Sequence, residues 1–227
     1  MRASNSGVVV LFDIDGTLVN TGGAGRQALL QAVHESYDRP GSFDFSFGGM
    51  TDMAIFRKGL MGLDLEFNNS KVNEVLHRYL DLLETELGDP AAVQVLEGAL
   101  KLVRASCHWP HVAVGLGTGN VERGARIKLR GHGFNELLGF GGFGCDHELR
   151  SELIAAGFGR GAAQLGATSR TNVGLVIVGD TPHDVTAARA NGGLTLGVTT
   201  GHYDKASLEE AGAEEVVDSL LGAEPIL

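Results

Sequence analysis

The chain has 227 residues, of which 43% are hydrophobic and 20% are charged, a composition that excludes a disordered chain and allows a sizeable core. No apolar run reaches the roughly 18 residues that a membrane-spanning helix needs, so we expect no membrane association. The formal net charge of −10 argues against nucleic acid as a partner, because binding to phosphate backbones requires a basic surface.

The first predicted element is a strand at residues 8–12, an unbroken apolar run typical of strands that are buried on both faces of a parallel sheet. The following stretch, residues 20–95, contains helical patterns instead. The clearest covers residues 70–87, where apolar residues recur at helical spacing, and others are predicted at 25–36 and 51–60. We therefore expect an inserted α-helical subdomain in this stretch.

After a helix at residues 96–106, the chain alternates between predicted strands and predicted helices. The strands lie at 111–116, 173–178 and 194–198, and the helices at 121–131, 148–165 and 181–191. Such alternation is typical of a doubly wound parallel sheet. The sequence therefore predicts an α/β, Rossmann-like core formed by residues 1–19 and 96–227, interrupted by the helical subdomain of residues 20–95.

Pairs of acidic residues follow two of the predicted strands. Asp13 and Asp15 come directly after the first strand, and Asp180 and Asp184 follow the strand at 173–178. Parallel sheets bind ligands beyond the carboxyl ends of their strands, so all four carboxylates are expected near one site. Such a group would repel itself without a cation, and its hard oxygen ligands favour Mg²⁺.

Between these two acidic motifs in the chain, Gly117-Thr118-Gly119-Asn120 follows the strand at 111–116. The Thr118 hydroxyl and the backbone amides near Gly119 and Asn120, at the start of a predicted helix, are suited to binding phosphate oxygens. An ordinary strand-to-helix turn is the alternative interpretation.

Taken together, the three motifs resemble the ordered signature of the haloacid dehalogenase (HAD) superfamily. They are Asp13-Ile14-Asp15-Gly16-Thr17, a strand that ends in Thr118, and Gly179-Asp180-Thr181-Pro182-His183-Asp184. The insertion after the first motif is similar to the helical cap of phosphoglycolate-phosphatase-like members. The resemblance covers essentially the whole chain.

The resemblance implies roles for the four acids. Asp13 would be the nucleophile that becomes an aspartyl phosphate, and Asp15 would be the general acid and then the general base. A carboxylate oxygen of Asp13, the backbone carbonyl of Asp15 and the carboxylate of Asp180 would hold Mg²⁺, with Asp184 assisting. The implied activity is a Mg²⁺-dependent phosphatase that acts on a small phosphorylated metabolite.

One family feature is missing. Most members carry a Lys-Pro pair before the helix that leads to the third motif, where a lysine neutralises the nucleophile, but residues 144–150 contain no lysine. Lys128 is the one lysine between Thr118 and Asp180, and we expect it to take this role. Arg150 is the second candidate, since it lies near the usual position and an arginine can bind phosphate.

Residues of the inserted cap would select the substrate. A glycine turn at residues 48–49 leads into the helix predicted at 51–60, and loops of this kind descend onto the active site in the family. Thr51, Asp52 and Arg57 are therefore the expected specificity residues. Ordinary helix capping and surface positions remain their alternative interpretation.

The same residues also bear on the other activities that occur in the family. Haloalkanoate dehalogenases lack an acid two residues after the nucleophile, so Asp15 argues against that reaction. A β-phosphoglucomutase-like phosphosugar mutase shares every core motif and remains the alternative enzyme. A catalytically weak binding or regulatory protein is a third possibility, and the chain is expected to be a monomer or a homodimer.

Cysteine and glycine contents give the remaining expectations. Cys107 and Cys145 are too few for a disulfide framework, and the N-terminus lacks signal-peptide anatomy, so we expect a reducing cytoplasm. Of the 34 glycines, about twice the average share, those at residues 157–161 match a dinucleotide fingerprint without its strand and are expected only to weaken a surface helix.

Overall fold

The centre of the molecule is a parallel sheet in the computed structural model, which describes residues 7–38, 43–62 and 69–224. Eight strands are present in the described residues: β1 (Gly7–Phe12), β2 (Val19–Asn20), β3 (Gln94–Val95), β4 (Val112–Gly117), β5 (Gly141–Gly142), β6 (Val173–Gly179), β7 (Leu194–Val198) and β8 (Glu215–Val217). Six of them form the sheet in the order β5-β4-β1-β6-β7-β8, and every pair is parallel.

Helices cover the sheet and form most of the inserted segment, as we call residues 20–95. The α-helices of the described residues are α1 (Ala24–Tyr37), α2 (Asp52–Met61), α3 (Asn69–Glu86), α4 (Ala99–Ser106), α5 (Glu122–Lys128), α6 (Arg150–Gln164), α7 (Pro182–Ala190) and α8 (Lys205–Ala211). Short 3-10 turns precede β3 and β6, at Pro90–Ala92 and Arg170–Asn172. The predicted α/β, Rossmann-like fold is confirmed.

The apolar runs explain why the sheet is buried. Val9, Leu11 and Phe12 of β1 are fully buried, because β1 is paired on both sides and has neighbours on both faces. Strands β5 and β8 and helix α8 were not predicted, since they are too short to carry a clear hydrophobic period.

The inserted segment leaves and rejoins the core through a two-stranded ribbon. Val19 of β2 pairs with Val95 of β3 in antiparallel register, which brings the entry and the exit of the segment together. Apolar residues of its three helices, such as Leu29 of α1 and Val75 of α3, belong to the same hydrophobic cluster as Phe12 of the sheet. The helices therefore pack directly onto the end of the sheet that carries the acidic motifs.

Gly157 and Gly161 have a packing role, so the expectation that the glycines of residues 157–161 only weaken a surface helix was wrong for these two, whereas a Cβ atom at Gly159 would meet no atom within 4 Å. A Cβ atom at Gly157 would lie 2.7 Å from the backbone nitrogen of Gly142, and one at Gly161 would lie 2.6 Å from Val9. Both glycines are buried on the face of α6 that touches the sheet. They let this helix approach β1 and β5 more closely than any side chain would allow.

Register places the three motifs next to one another. Phe12, the last residue of β1, pairs with Leu116 of β4 on one side and with Val178 of β6 on the other. The residues that follow these positions, Asp13 and Thr118 among them, therefore emerge at one edge of the sheet.

Candidate active site

Three buried carboxylates lie at this edge. Oxygens of Asp13, Asp180 and Asp184 lie within 4.8 Å of one another, and the three residues are 5%, 4% and 0% exposed. Thr17 Oγ1 donates to Asp180 Oδ1 at 3.0 Å, and Gly16 has a φ of 83°. A side chain at Gly16 would collide with the Asp180 carboxylate, so glycine is required at this turn.

The environment of the acids opposes their ionisation. Burial raises the pKa of Asp13 to about 6, and the neighbouring Asp184 and Asp15 contribute in the same direction, against the lowering effect of Arg150. Burial and the charges of Asp13 and Asp184 also raise the pKa of Asp180 well above its usual value. Several buried carboxylates with too little positive charge among them form a site that a cation would stabilise.

Arg150, the first residue of α6, supplies the positive charge that touches Asp13. One terminal nitrogen of its guanidinium lies 2.8 Å from Asp13 Oδ2, and its Nε donates to Asp184 Oδ1 at 3.0 Å. The side chain is only 8% exposed. Burial alone would lower the pKa of Arg150, but Asp13 and Asp184 outweigh this effect and raise it, so the group stays charged.

Lys128 lies elsewhere than expected. Its ammonium group donates to both oxygens of Asp15, at 2.9 and 2.7 Å, and to Asn120 Oδ1 at 2.7 Å. The expectation that this lysine contacts Asp13 is therefore corrected: the ion pair to Asp13 comes from Arg150. The physical reason is the direction of α5, which carries Lys128 towards the inserted segment and onto Asp15.

The motif at the end of β4 forms a hydrogen-bonded turn. The side-chain nitrogen Nδ2 of Asn120 donates to Asp15 Oδ2 and to Thr118 Oγ1, both at 2.8 Å, so this side chain orients Asp15. Thr118 Oγ1 also accepts from the backbone N–H of Asn120 at 3.3 Å. With two bonds accepted, the Thr118 hydroxyl keeps its own proton for a group in the cavity that it lines.

Asp184 holds the start of α7. Its Oδ2 accepts from the backbone N–H of Thr181 at 3.1 Å and from the Thr181 hydroxyl at 2.8 Å, which completes a capping box. Together with Arg150 on Oδ1, these contacts use both oxygens of the carboxylate. Asp184 therefore links the third motif to the arginine that contacts Asp13.

The start of α2 docks on the core beside the site. Thr51 caps α2 by accepting from the N–H of Ala54, and its hydroxyl donates to the carbonyl of Glu148 at 2.9 Å. Arg57 Nε lies 2.9 Å from the carboxylate of Glu148. Thr51 and Arg57 thus bind the loop that leads to Arg150. Of the three expected specificity residues, only Asp52 lines the cavity.

Asp52 joins the inserted segment to the loop that carries Thr118 and Gly119. Its Oδ2 accepts from the N–H of Val121 at 2.9 Å, and its own N–H donates to the carbonyl of Gly119 at 2.9 Å. The residue is 7% exposed, and burial raises the pKa of its carboxyl group to about 6, against the lowering effect of Lys128. It caps a helix, α5, whose own N-cap residue has no side-chain hydrogen bond.

A cavity of about 500 Å³ lies between the strand ends and the inserted segment. Asp13, Asp15, Thr118 and Arg150 line its core side. Its opposite wall combines apolar and polar groups of the inserted segment, which are Leu29, Phe47, Met50, Ile55, Arg26, Asp52 and Tyr79. The arrangement can hold a small anionic ester against Asp13 with its remaining part enclosed by the segment.

Several residues of the site had no sequence signal. Glu148 lies in a loop and contacts Arg57, which is 91 residues away in the sequence. The Thr200 hydroxyl donates to the carbonyl oxygen of Gly16 at 2.6 Å, although the two residues lie near opposite ends of the chain. In the sequence, Tyr79 is indistinguishable from the other apolar positions of the amphipathic helix predicted at 70–87. Long-range contacts of this kind leave no local pattern.

Comparisons with known proteins agree with this architecture. A family model described as haloacid dehalogenase-like hydrolase matches residues 10–189, and a HAD-hydrolase-like model matches residues 156–223. The chain therefore belongs to the haloacid dehalogenase-like hydrolases. A search of curated proteins found no match.

Solved structures show the same fold over nearly the full chain. A hydrolase from Pseudomonas syringae is 20% identical, with a TM-score of 0.72 and 96% of each chain covered. A predicted phosphatase from Clostridium acetobutylicum is 16% identical, with a TM-score of 0.69 and coverage of 97% and 98%. A predicted phosphoglycolate phosphatase from Haemophilus somnus is 16% identical, with a TM-score of 0.69 and 99% of each chain covered.

Two further observations concern the expected location. Among the described helices, none has both the length and the apolar composition that crossing a membrane requires. Cys107 and Cys145 are both free thiols.

Proposed function

We propose that the chain is a Mg²⁺-dependent phosphatase that hydrolyses a small phosphorylated metabolite through an aspartyl phosphate on Asp13. The observation that carries the proposal is the buried ion pair between Asp13 and Arg150, at 2.8 Å, at the floor of the cavity. A nucleophilic carboxylate with a fixed cation beside it can receive an anionic phosphoryl group without prohibitive repulsion. Family membership and the likeness to predicted phosphatases support the same reaction.

The residues present fit a magnesium ion. Three buried carboxylates converge within 4.8 Å, and hard oxygen ligands are those that Mg²⁺ prefers. Asp13 and Asp180 would hold the ion with the backbone carbonyl of Asp15, and Asp184 would orient the cluster through Thr181 and Arg150. Bound there, Mg²⁺ would supply charge stabilisation to the transferring phosphoryl group.

Each step of the reaction is assigned to residues of the chain. A carboxylate oxygen of Asp13 attacks phosphorus while the bond to the leaving oxygen breaks, and Asp15, which begins this step protonated, gives its proton to that oxygen. The carboxylate that this leaves on Asp15 is the ionised form that Lys128 and Asn120 bind in the structure. Asp15 then accepts a proton from water as the water attacks phosphorus, which releases phosphate and restores Asp13. Thr118 and the amides near Gly119 bind phosphate oxygens, while Asn120 and Lys128 hold the Asp15 carboxylate in place.

The inserted segment acts as a cap in this proposal. Thr51 and Arg57 fix the cap to the loop of Glu148 and thereby position Arg150, which also donates to the carbonyl of Gly49 at 3.3 Å. Asp52 is the specificity residue of the three, because it lines the cavity. The two free cysteines favour a reducing, cytoplasmic compartment.

Hydrolysis of p-nitrophenyl phosphate tests the proposal. We expect activity that depends on added Mg²⁺, that is abolished by EDTA, and that falls by at least about a thousandfold in Asp13→Asn, because an amide is a poor nucleophile. Asp218→Asn is the matched control, since this exposed residue follows the edge strand β8, three strands away from β1. It should keep wild-type activity.

The outcome also separates the alternatives. A phosphatase releases phosphate in step with p-nitrophenol over many turnovers, whereas a mutase would show a burst of p-nitrophenol without continued phosphate release. Absence of Mg²⁺-dependent hydrolysis in the wild type would contradict the proposal, as would full activity in Asp13→Asn.

A further inference from the structure

A tyrosine that the reaction does not use presents its hydroxyl group at the cavity. Tyr79, on α3, is 2% exposed and lines the cavity, and its hydroxyl has no hydrogen-bond partner among the described residues. Its ring packs edge-on against Phe56, with the centroids 6.0 Å apart and the planes at 77°. The hydroxyl is therefore free to form a hydrogen bond with a ligand group in the cavity, where water would otherwise occupy it.

The hydroxyl of Tyr79 lies close to the leaving-group side of the site. A Cβ atom at Gly25 would be 3.8 Å from Tyr79 Oη and 3.4 Å from Lys128 Nζ, so both polar ends converge above this glycine. Lys128 in turn binds Asp15, the residue assigned to the leaving oxygen. Tyr79 is therefore placed to meet atoms of the leaving group and not the phosphoryl group.

Asp52 adds a negative charge to the same wall. Its Oδ2 caps α5 through Val121, and its side chain lines the cavity. The burial of Tyr79, with the charges of Asp52 and Asp15, raises the pKa of the Tyr79 hydroxyl well above its usual value, so this group remains a phenol. The wall thus offers an acceptor and a neutral hydroxyl.

The positive groups of the cavity already have partners. Lys128 uses its three N–H donors on Asp15 and Asn120, and Arg150 is paired with Asp13 and Asp184. Arg26 also lines the cavity, but it is exposed and donates to the carbonyls of Phe45, at 3.1 Å, and Phe43, with no acidic partner among the described residues. The charges that act on Asp52 are those of Lys128 and Asp15, so a second anionic group beside Asp52 would meet its carboxylate with no unpaired cation next to it.

We infer that Tyr79 and Asp52 form a subsite for an uncharged hydrogen-bond donor on the leaving group, so that the enzyme prefers hydroxyl-bearing phosphate esters and disfavours carboxylate-bearing ones. The inference rests on the proposed phosphatase function and specifies its substrate class. A hydroxyl group can donate to the Asp52 carboxylate and accept from Tyr79. A carboxylate can only accept, and it is repelled by Asp52.

Three two-carbon esters that differ only in their terminal group test this inference. They are ethyl phosphate, 2-hydroxyethyl phosphate and phosphoglycolate, assayed with Mg²⁺ near pH 7.5 beside p-nitrophenyl phosphate. We expect kcat/KM for the hydroxyethyl ester to exceed that for the ethyl ester by roughly three- to tenfold, the range of one or two neutral hydrogen bonds. Phosphoglycolate should be the poorest of the three by about tenfold or more.

Two variants assign the preference to the subsite. In Tyr79→Phe, the ratio of kcat/KM between the hydroxyethyl and ethyl esters should fall towards one. Tyr37→Phe is the matched control, because the Tyr37 hydroxyl likewise has no partner among the described residues but does not line the cavity. In Asp52→Asn, kcat/KM for phosphoglycolate should rise severalfold relative to the hydroxyethyl ester, and melting temperatures should show that all variants are folded.

The failure of this inference can be told apart from the failure of the proposed function. If p-nitrophenyl phosphate is hydrolysed but phosphoglycolate is the best of the three esters, the subsite is wrong and the phosphatase stands. The same holds if Tyr79→Phe and Tyr37→Phe leave the same ester ratio as the wild type. If no ester is hydrolysed, p-nitrophenyl phosphate included, both are wrong.

Discussion

Two basic side chains of the site hold different carboxylates, and this division fixes their roles. Arg150 contacts Asp13 and Asp184, whereas Lys128 contacts Asp15. A cation on the nucleophile offsets charge that grows as the phosphoryl group is transferred, while a cation on the acid–base residue acts one group further away. We therefore assign to Arg150 the role that a lysine has in most of the family.

The two variants Arg150→Ala and Lys128→Ala should consequently differ. We expect kcat for an aryl phosphate to fall by about a hundredfold or more without Arg150, and by roughly tenfold without Lys128. Arg123→Ala is the matched control, because its guanidinium binds the exposed acids Asp81 and Glu84 on α3. A larger loss in Lys128→Ala than in Arg150→Ala would contradict the assignment.

The residue scale also shows where sequence reasoning ended. Asp13, Asp15, Asp180 and Thr118 lie within three residues of a strand end and Asp184 lies in the first turn of the next helix, so their positions followed from the end of each apolar run. The choice between Lys128 and Arg150 did not, because it depends on the directions of α5 and α6 relative to β1. Tyr79 was predicted only as part of a helical apolar face, since nothing in the spacing distinguishes a hydroxyl that faces a cavity.

At the scale of elements, the junction between α2 and α5 is one of the contacts that join the inserted segment to the core. Asp52, the first residue of α2, accepts from Val121 at the start of α5, and the backbone of Met50 approaches Gly119 so closely that a Cβ atom there would lie 2.2 Å from its carbonyl oxygen. This junction was not predicted, because a sequence pattern identifies a capping residue only next to the helix that it caps. Asp52 lies in α2 and caps α5, which is distant in the sequence.

The buried carboxylate at this junction should make stability depend on pH. Burial raises the pKa of Asp52 from its usual 3.8 to about 6, so ionisation favours the unfolded state and the stability of the folded state falls as pH rises through this range. We expect Asp52→Asn to exceed the wild type in free energy of unfolding by about 3 kcal/mol above pH ~7, and the difference to vanish below pH ~4. Urea unfolding across this range measures it.

Asp81→Asn provides the control for that series, because Asp81 is exposed on α3. Its difference from the wild type should stay small at every pH. A difference between Asp52→Asn and the wild type that is constant with pH, or that grows towards low pH, would contradict the electrostatic account of the junction.

For the whole molecule, most of the architecture could be predicted and the joining parts could not. Four of the six strands of the sheet follow from apolar runs, and the three helices of the inserted segment follow from their spacing. The ribbon of Val19–Asn20 and Gln94–Val95 has two residues per strand, too few for a period. The packing role of Gly157 and Gly161 could not be predicted either, because it depends on how closely α6 approaches β1 and β5.

The assembled molecule joins a sheet edge that presents an acidic, cation-demanding site to a helical segment that closes over it. The sheet supplies Asp13, Asp15 and Asp180, and the segment supplies Asp52 and Tyr79 at the far wall of the cavity. In the proposed reaction, the core carries out phosphoryl transfer and the segment selects the leaving group.

The most direct test of the account is to trap the phosphorylated enzyme. Asp15→Asn should slow the attack of water, so that acid quenching after mixing with an aryl phosphate labelled with radioactive phosphorus leaves label on the protein. We predict about one label per chain at most, on the peptide that contains Asp13, removable by hydroxylamine and absent when Asp13→Asn is added. Release of phosphate by the wild type with no protein-bound label in the Asp15→Asn variant, or label on a different residue, would contradict the account.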